Sequence, residues 1–246
     1  MGTSPGPADR STLRPWTAAV AQVLVDDLDT DAGPTLDEAS THHLGRVRRL
    51  RPGEIVCATD GAGGWRLTSW TGDGRLDPIG VVHRRPAPSS MLSVGFVPVK
   101  GDRPELVVQK LTEVGVDRIV VTSSSRSVVR WDGRRAEHHM DRLRRVASEA
   151  ACQCRRLWLP TVETAPLASL AAEGFAFGHL DGAEPTSSLR CVVVGPEGGW
   201  TDEELAMAIV PPVSFGDHVL RAETAAIAAG VVLTAARRAG PHSALL

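Results

Sequence analysis

The residues Cys191 to Leu205, CVVVGPEGGWTDEEL, restrict the possible folds of this chain more than any other stretch. The run Cys191-Val192-Val193-Val194 is short, apolar and β-branched, the pattern of a central strand buried on both faces of an α/β sheet. Gly195, Gly198 and Gly199 then allow a sharp turn, or the close approach of a ligand to backbone that carries no Cβ. Thr201 followed by Glu204 is a capping-box pattern, and Trp200 with Leu205 supplies a hydrophobic staple, so a helix is expected to start here. Strand, glycine turn and helix N-terminus in that order describe a small-molecule site.

A glycine turn that feeds a helix often cradles phosphate, because free backbone N–H groups and the helix dipole attract an anion. Here Glu197, Asp202, Glu203 and Glu204 crowd that end with carboxylates, and the loop matches neither the Walker A pattern nor the dinucleotide fingerprint. The only lysines, Lys100 and Lys110, stand outside any Gly-Lys-Ser/Thr context. The ligand expected is therefore neutral or cationic and free of phosphate. Taken alone, GPEGG reads equally well as an ordinary strand-to-helix turn with a good cap.

The rest of the chain divides by pattern at a Pro- and Ser-rich stretch, Arg84 to Ser90. Before it, the strand-like runs Ala21 to Val25, Glu54 to Thr59, Trp65 to Trp70 and Ile79 to His83 are separated by glycine turns, with one helix around Thr41 to Leu50. A small β-barrel is the expected result. After it, strands and helices alternate. Leu92 to Val97 reads as a strand, Asp102 caps a helix with Pro104 in its first turn that ends near Gly115, and Asp117 to Val121 reads as the next strand. Ala136, Met140, Leu143, Ala147, Ala150 and Cys154 then recur at alternating spacings of four and three, one apolar face of a long helix. That alternation predicts an α/β domain with a mainly parallel sheet.

A second segment changes the weight of the first. Val219-Leu220-Arg221-Ala222-Glu223-Thr224 precedes an alanine-rich helix, Ala225 to Ala236, whose small side chains let backbones pack closely. GPEGGWTDEEL followed by VLRAETAAIAA resembles the SPOUT class of methyltransferases, and specifically the RsmE family, which methylates N3 of a uridine in the 16S ribosomal RNA of the small (30S) subunit. Further segments match in order: Thr41-His42-His43-Leu44 running to Gly53, Lys100-Gly101-Asp102-Arg103, Gln109 to Val116, Arg126 to Val129, and Glu149 to Arg156. The resemblance covers about residues 20 to 238.

The resemblance implies a PUA-like β-barrel for RNA binding, then a SPOUT domain with a C-terminal trefoil knot that binds S-adenosylmethionine and works as a homodimer. The boundaries expected are a disordered tail over residues 1–15, the barrel over 16–85, a linker over 86–90 and the methyltransferase domain over 91–240. Carried over residue by residue, the cofactor site is Gly195, Glu197, Gly198, Gly199, Leu220, Arg221, Thr224 and Ala225, with His179 and Leu180 where the first knot loop contributes. Arg221 is the expected stabiliser of the negative charge that spreads over the uracil carbonyl oxygens. Glu223 is the candidate proton acceptor, or else the partner that orients Arg221. Arg126 is expected to face the active site, where it binds RNA or the partner subunit; Ser125 replaces an acidic residue common just before it. A family arginine near the start has no clear counterpart, Arg14 being the nearest candidate.

Charge distribution bears on RNA more than the net charge of −2 does. Residues 42 to 51 carry His43, Arg46, Arg48, Arg49 and Arg51 without an acid, and residues 126 to 156 carry nine arginines against Asp132, Glu137, Asp141 and Glu149. Arginine suits RNA because its planar fork pairs phosphate oxygens and stacks on bases. With no tyrosine and four phenylalanines, contacts to phosphate and shape are expected rather than base platforms. No His, Cys or carboxylate spacing points to a metal, and His42 and His43 read as structural or RNA-proximal. Cys57, Cys152, Cys154 and Cys191 read as reduced thiols of a cytoplasmic protein. No run is long enough to span a membrane, and the first twelve residues lack the apolar core of a signal peptide. Two alternatives stand beside the main reading: an enzyme of the same class acting on another RNA position, and a non-catalytic RNA-binding ribosome-assembly factor.

Overall fold

A computed structural model describes residues 14–239 except 102, 130 and 132. The expected tail over the first residues, the Asp102 cap, and Arg130 and Asp132 of the basic segment lie outside the described residues. The chain forms two compact units. One gathers the chain up to Ala87 together with Ala151–Trp158, and the other gathers Pro88–Ala150 with the chain from Leu159 onward.

In the first unit, a 3-10 turn, Pro15–Ala18, leads into β1 (Ala21–Leu24), followed by β2 (Ile55–Thr59), β3 (Gly64–Trp70) and β4 (Leu76–Arg84). The sheet order is β1-β2-β3-β4, with β1 parallel to β2 and the other pairs antiparallel. Val23, Val25, Leu28, Leu44, Val56, Trp70 and Leu76 form its core. Trp16, Cys57, Trp65 and Leu157 form a second apolar cluster. Residues 151–158, which pattern alone leaves in the methyltransferase region, thus pack within the first unit. Leu157 accepts from the Gly63 amide at 3.0 Å, Trp16 Nε1 donates to the Arg155 carbonyl at 3.0 Å, and Gln22 Nε2 donates to the Arg156 carbonyl at 2.7 Å.

The helix expected around Thr41 to Leu50 is two short pieces. Helix α1 (Glu38–His42) is capped by Asp37, which accepts from the Ser40 amide at 2.7 Å, and it runs into a π-helical turn, His43–Val47. Among the described residues no disulfide joins the cysteines, and burial pushes the Cys57 thiol up to about 12, so this sulfur is not a reactive one.

The second unit is a three-layer α/β/α sandwich. Its strands are β5 (Ser93–Phe96), β6 (Arg118–Val121), β7 (Thr161–Thr164), β8 (Ala176–Ala183) and β9 (Cys191–Val194), in the order β7-β6-β5-β9-β8. Every pairing is parallel. Alternate side chains serve opposite faces. Val94, Phe96, Ile119, Val192 and Val194 pack against α2 (Arg103–Val114), α3 (Gly133–Gln153) and α6 (Ala222–Ala239). Val120, Phe177 and Val193 pack against α4 (Leu167–Ala172) and Trp200. The expected apolar face of α3 is there, with Met140, Leu143 and Ala147 in the core. Close backbone approach of the alanine-rich helix is also realised: a Cβ on Gly230 would lie 2.6 Å from Leu111 Cδ2 and 3.2 Å from Val116 Cγ2.

Strands β7 and β8 and helix α4 have no counterpart in the sequence reading. The helix at Thr201 is a single turn, α5 (Asp202–Leu205), with both capping-box hydrogen bonds formed.

Candidate methyl-donor site

Open parallel sheets bind ligands beyond the carboxyl ends of their strands. In the second unit that place is a cavity of about 240 Å³, and three loops meet there. The first is the end of β8, with Gly178, His179 and Leu180. The second is the glycine turn after β9, with Gly195, Pro196, Glu197, Gly199 and Trp200. The third runs from Ser214 to Leu220 and passes into α6 at Ala222 and Ala225. Segments separated by many residues are brought together because β8 and β9 are parallel neighbours and the return strand is laid beside β8: Val213 forms parallel bridges with Gly178 and Ala183. Gly182 is required there, since a Cβ on it would come within 2.5 to 2.7 Å of the Val213 backbone.

The glycine turn has a specific support. Trp200 is 5% exposed, tilts against Phe177 with ring centroids 4.9 Å apart, and donates its indole N–H to the Gly178 carbonyl at 3.1 Å. The indole lies so close beneath Gly195 that a Cβ there would stand 2.8 Å from Cε2. Gly199 has φ +69°, a conformation that favours glycine. Arg126 holds the same turn from the other side, donating from one nitrogen to the carbonyls of Gly198 at 2.9 Å and Trp200 at 3.0 Å.

Glu204 links the two segments. Its carboxylate accepts from the Thr201 amide at 2.9 Å, the Ser125 amide at 2.7 Å and the Ser124 hydroxyl at 3.3 Å. Burial works to raise its pKa, but the hydrogen bonds from Thr201, Ser125 and Ser124 outweigh it and hold the group below the ordinary glutamate range. The neutral Ser125, where an acidic residue was expected, thus meets an acid from another element through its backbone.

Of the residues expected to hold a cofactor, His179, Leu180, Gly195, Glu197, Gly199, Leu220 and Ala225 line the cavity. Gly198 and Arg221 sit in the same loops and Thr224 in the first turn of α6, without lining it. No lysine or arginine is among the lining residues, in keeping with a ligand free of phosphate. Arg221 is exposed, and its guanidinium makes no hydrogen bond or ion pair among the described residues. Glu223 does not pair with it. Its Oε1 lies 3.5 Å from Arg103 Nε, and Arg103 Nη1 also reaches Glu197 Oε1 at 3.1 Å. Arg103 belongs to a segment quoted for the family resemblance, yet nothing local in the sequence marks it as part of the site.

The expected RNA contacts separate between the units. His43, Arg46, Arg48 and Arg49 are exposed on the π-helical turn and the residues just after it in the first unit, Arg48 donating to the Val20 carbonyl at 2.8 Å and Arg49 held at φ +55°. Arg126 belongs to the second unit, where it braces the glycine turn. Among the described residues, no group of three or more His, Cys, Asp or Glu is placed to hold a metal, and no helix is long and apolar enough to cross a membrane.

A wholly parallel α/β unit with a glycine-walled cavity at its strand ends belongs to the class of small-molecule-binding α/β domains, and the comparisons with known proteins say which. The RNA methyltransferase domain family matches residues 85–234, and the RNA methyltransferase PUA domain matches residues 36–68. Ribosomal RNA small subunit methyltransferase E of Mycobacterium bovis is 34% identical over 85% of this chain and 89% of its own length, and the protein of that name from Synechocystis is 29% identical over 89% and 78%. A putative methyltransferase of Legionella pneumophila, solved with bound S-adenosylmethionine, superposes with a TM-score of 0.76 at 26% identity, over 88% of this chain and 97% of that one. The chain belongs to the RNA methyltransferase family that includes ribosomal RNA small subunit methyltransferase E.

Proposed function

We propose that this protein methylates N3 of a uridine in 16S ribosomal RNA of the small subunit, with S-adenosylmethionine as donor. The observation that carries the reading is the cavity at the ends of β8 and β9, in a chain whose relatives bear the name ribosomal RNA small subunit methyltransferase E. The residues present suit that donor: Leu180, Val194, Val219, Leu220 and Ala225 offer apolar walls, Gly195 and Gly199 expose backbone, and Glu197 is the one carboxylate on the lining. Bound there, the donor supplies an electrophilic methyl group on a cationic sulfur. His179, Leu180, Gly195, Glu197, Gly198, Gly199, Leu220, Thr224 and Ala225 would hold it, and the chain's contribution is chiefly alignment of donor and acceptor.

Loss of the N3 proton leaves negative charge on the neighbouring carbonyl oxygens of uracil. Arg221, with an unoccupied guanidinium at the start of α6, is the group to stabilise that charge. Glu223 is the group to receive the proton. The barrel expected over residues 16–85, which lies within the first unit, would take RNA through His43, Arg46, Arg48 and Arg49. Residues 86–90 would be its linker to the methyltransferase domain over 91–240.

A trefoil knot belongs to the same proposal, supported by the return of Val213 beside β8 before the chain enters α6. So does a homodimer: Leu180 and Val219 at the cavity are 46% and 84% exposed, apolar surface that a second copy would cover. The cytoplasm is the compartment of such a substrate.

Methyl transfer from labelled S-adenosylmethionine to small subunits from a strain lacking N3-methyluridine tests the reading, with the product nucleoside identified by mass spectrometry. N3-methyluridine at one position is the expected result. Cofactor binding without transfer would move the substrate to another RNA.

A further inference from the structure

Helix α3 carries two kinds of arginine. Arg144 donates from Nε to the Val162 carbonyl at 3.2 Å and from Nη1 to Asp141 at 2.9 Å, and Arg142 Nε meets Glu105 Oε1 at 3.0 Å, so both are engaged by the fold. Arg134, Arg135 and Arg145 are exposed and make no hydrogen bond or ion pair among the described residues. Arg134, the exposed His138 and Arg145 fall within about 40° of one another around the helix, with Arg135 about 60° to one side of His138. The row runs for about 16 Å along the axis, on the side opposite Met140, Leu143 and Ala147 in the core. Over residues 134–145 five arginines stand against two acids, and of these Asp141 is already taken by Arg144.

The free arginines are not explained by the stability of the helix. The first turn of α3 holds Arg134 and Arg135 and no acid, although cations at that end oppose the helix dipole. That turn is nevertheless tied down: Trp131, just before the helix, stacks on His139 with ring centroids 4.5 Å apart and 15° between the planes, and packs against the core. A fixed row of guanidinium groups without counter-charges is complementary to a polyanion, and each planar fork suits a phosphate. No large exposed hydrophobic residue lies on α3, so the face offers charge without the apolar anchor a protein partner would need.

We propose that this face of α3 is a docking surface for the RNA backbone, with Arg134, Arg135 and Arg145 taking phosphates of the substrate RNA away from the nucleotide that is methylated. The inference rests on the function proposed above and adds an RNA contact carried by the second unit itself. Contacts of this kind fix register and orientation and read no sequence.

The test compares Arg134→Gln/Arg135→Gln/Arg145→Gln, in which glutamine keeps the helix propensity, with Arg144→Gln as a control on the same helix. For each, binding to a small-subunit RNA fragment is titrated with salt, and S-adenosylmethionine affinity, thermal stability and mass in solution are measured. Three lost phosphate contacts should lower the slope of log affinity against log salt by roughly 2.1 to 2.7. Binding by the triple variant should then fall about 20- to 40-fold less than wild-type binding between about 50 and about 200 mM salt, with donor affinity unchanged. Arg144→Gln should keep the wild-type slope. If the triple variant is unstable, Arg145→Gln carries the comparison, with an expected drop of about 0.7 to 0.9.

A wild-type slope in the triple variant, or an equal drop in Arg144→Gln, would overturn the proposal. So would a changed mass in solution accompanying the loss of RNA binding, which would make the face a contact between copies of the chain. Transfer to N3 of uridine by the wild-type protein, with the triple variant's slope unaltered, defeats this inference alone. A wild-type protein without affinity for the RNA defeats it together with the function it rests on, and a lowered slope without transfer sustains the surface while the target base fails.

Discussion

Two arginines near the cavity show how burial and pairing separate roles that residue type leaves merged. Arg221 is exposed and unpaired among the described residues, so nothing in the fold depends on its charge. Arg221→Ala should melt within about 0.5 kcal/mol of the wild type. It should lose roughly 10²- to 10⁴-fold in kcat, as expected for removal of a group that stabilises developing charge. A change in cofactor affinity alone would refute the assignment. Arg126 is spent on the Gly198 and Trp200 carbonyls. Arg126→Ala should therefore weaken S-adenosylmethionine binding by loosening the turn, and calorimetry showing unchanged affinity with reduced RNA binding would restore the RNA role expected from sequence. Gly195 and Gly199 of the cavity wall could be read from the chain because their motif is contiguous. Arg103 could not, since its partners are set only by how α2, the glycine turn and α6 meet.

At the scale of elements, α5 is one turn long, too short to persist without its cap. Thr201→Ala should cost about 1 kcal/mol of stability by leaving the Glu204 amide without an acceptor. Glu204 adds a dependence on pH. Its folded pKa lies below the ordinary value, so its contribution to stability is whole above the unfolded glutamate pKa of about 4.3 and is lost as pH falls through the lower folded value. Melting curves across that acid range should show a slope that Glu204→Gln reduces; an equal slope in both proteins would show that other carboxylates govern it.

The cap was visible in the sequence because all its parts lie within four residues. Strand β8 was not, for a physical reason: Gly178 to Ala183 is polar or glycine-rich and only its first two residues, Ala176 and Phe177, are fully buried, so its identity as a strand comes from pairing with β9 and not from its own pattern. Helix α4 is six residues of Leu, Ala and Ser, too short for periodicity to show.

Over the whole molecule, the proposed division of labour rests on the first unit and its arginines. Arg46, Arg48 and Arg49 stand exposed on the π-helical turn and just after it, and the chain as a whole is slightly acidic, so any RNA affinity must come from such local concentration of charge. Each phosphate a cation neutralises adds about 0.7 to 0.9 to the slope of log affinity against log salt. Arg48 already donates to the Val20 carbonyl at 2.8 Å, which ties one of the three partly to the fold. Replacing all three by alanine should thus lower the slope by about two phosphate contacts' worth, roughly 1.4 to 1.8, with a modest loss of stability traceable to Arg48. Arg46→Ala/Arg49→Ala, which spares that hydrogen bond, should give most of the slope change at unaltered stability. The binding measurement is a salt titration with a small-subunit RNA fragment, run on both variants. A slope equal to the wild type's would take the π-helical turn out of the RNA interface and leave the arginine-rich helix α3 of the second unit to supply the contacts, in which case Arg134, Arg135 and Arg145 on that helix would carry the salt dependence instead.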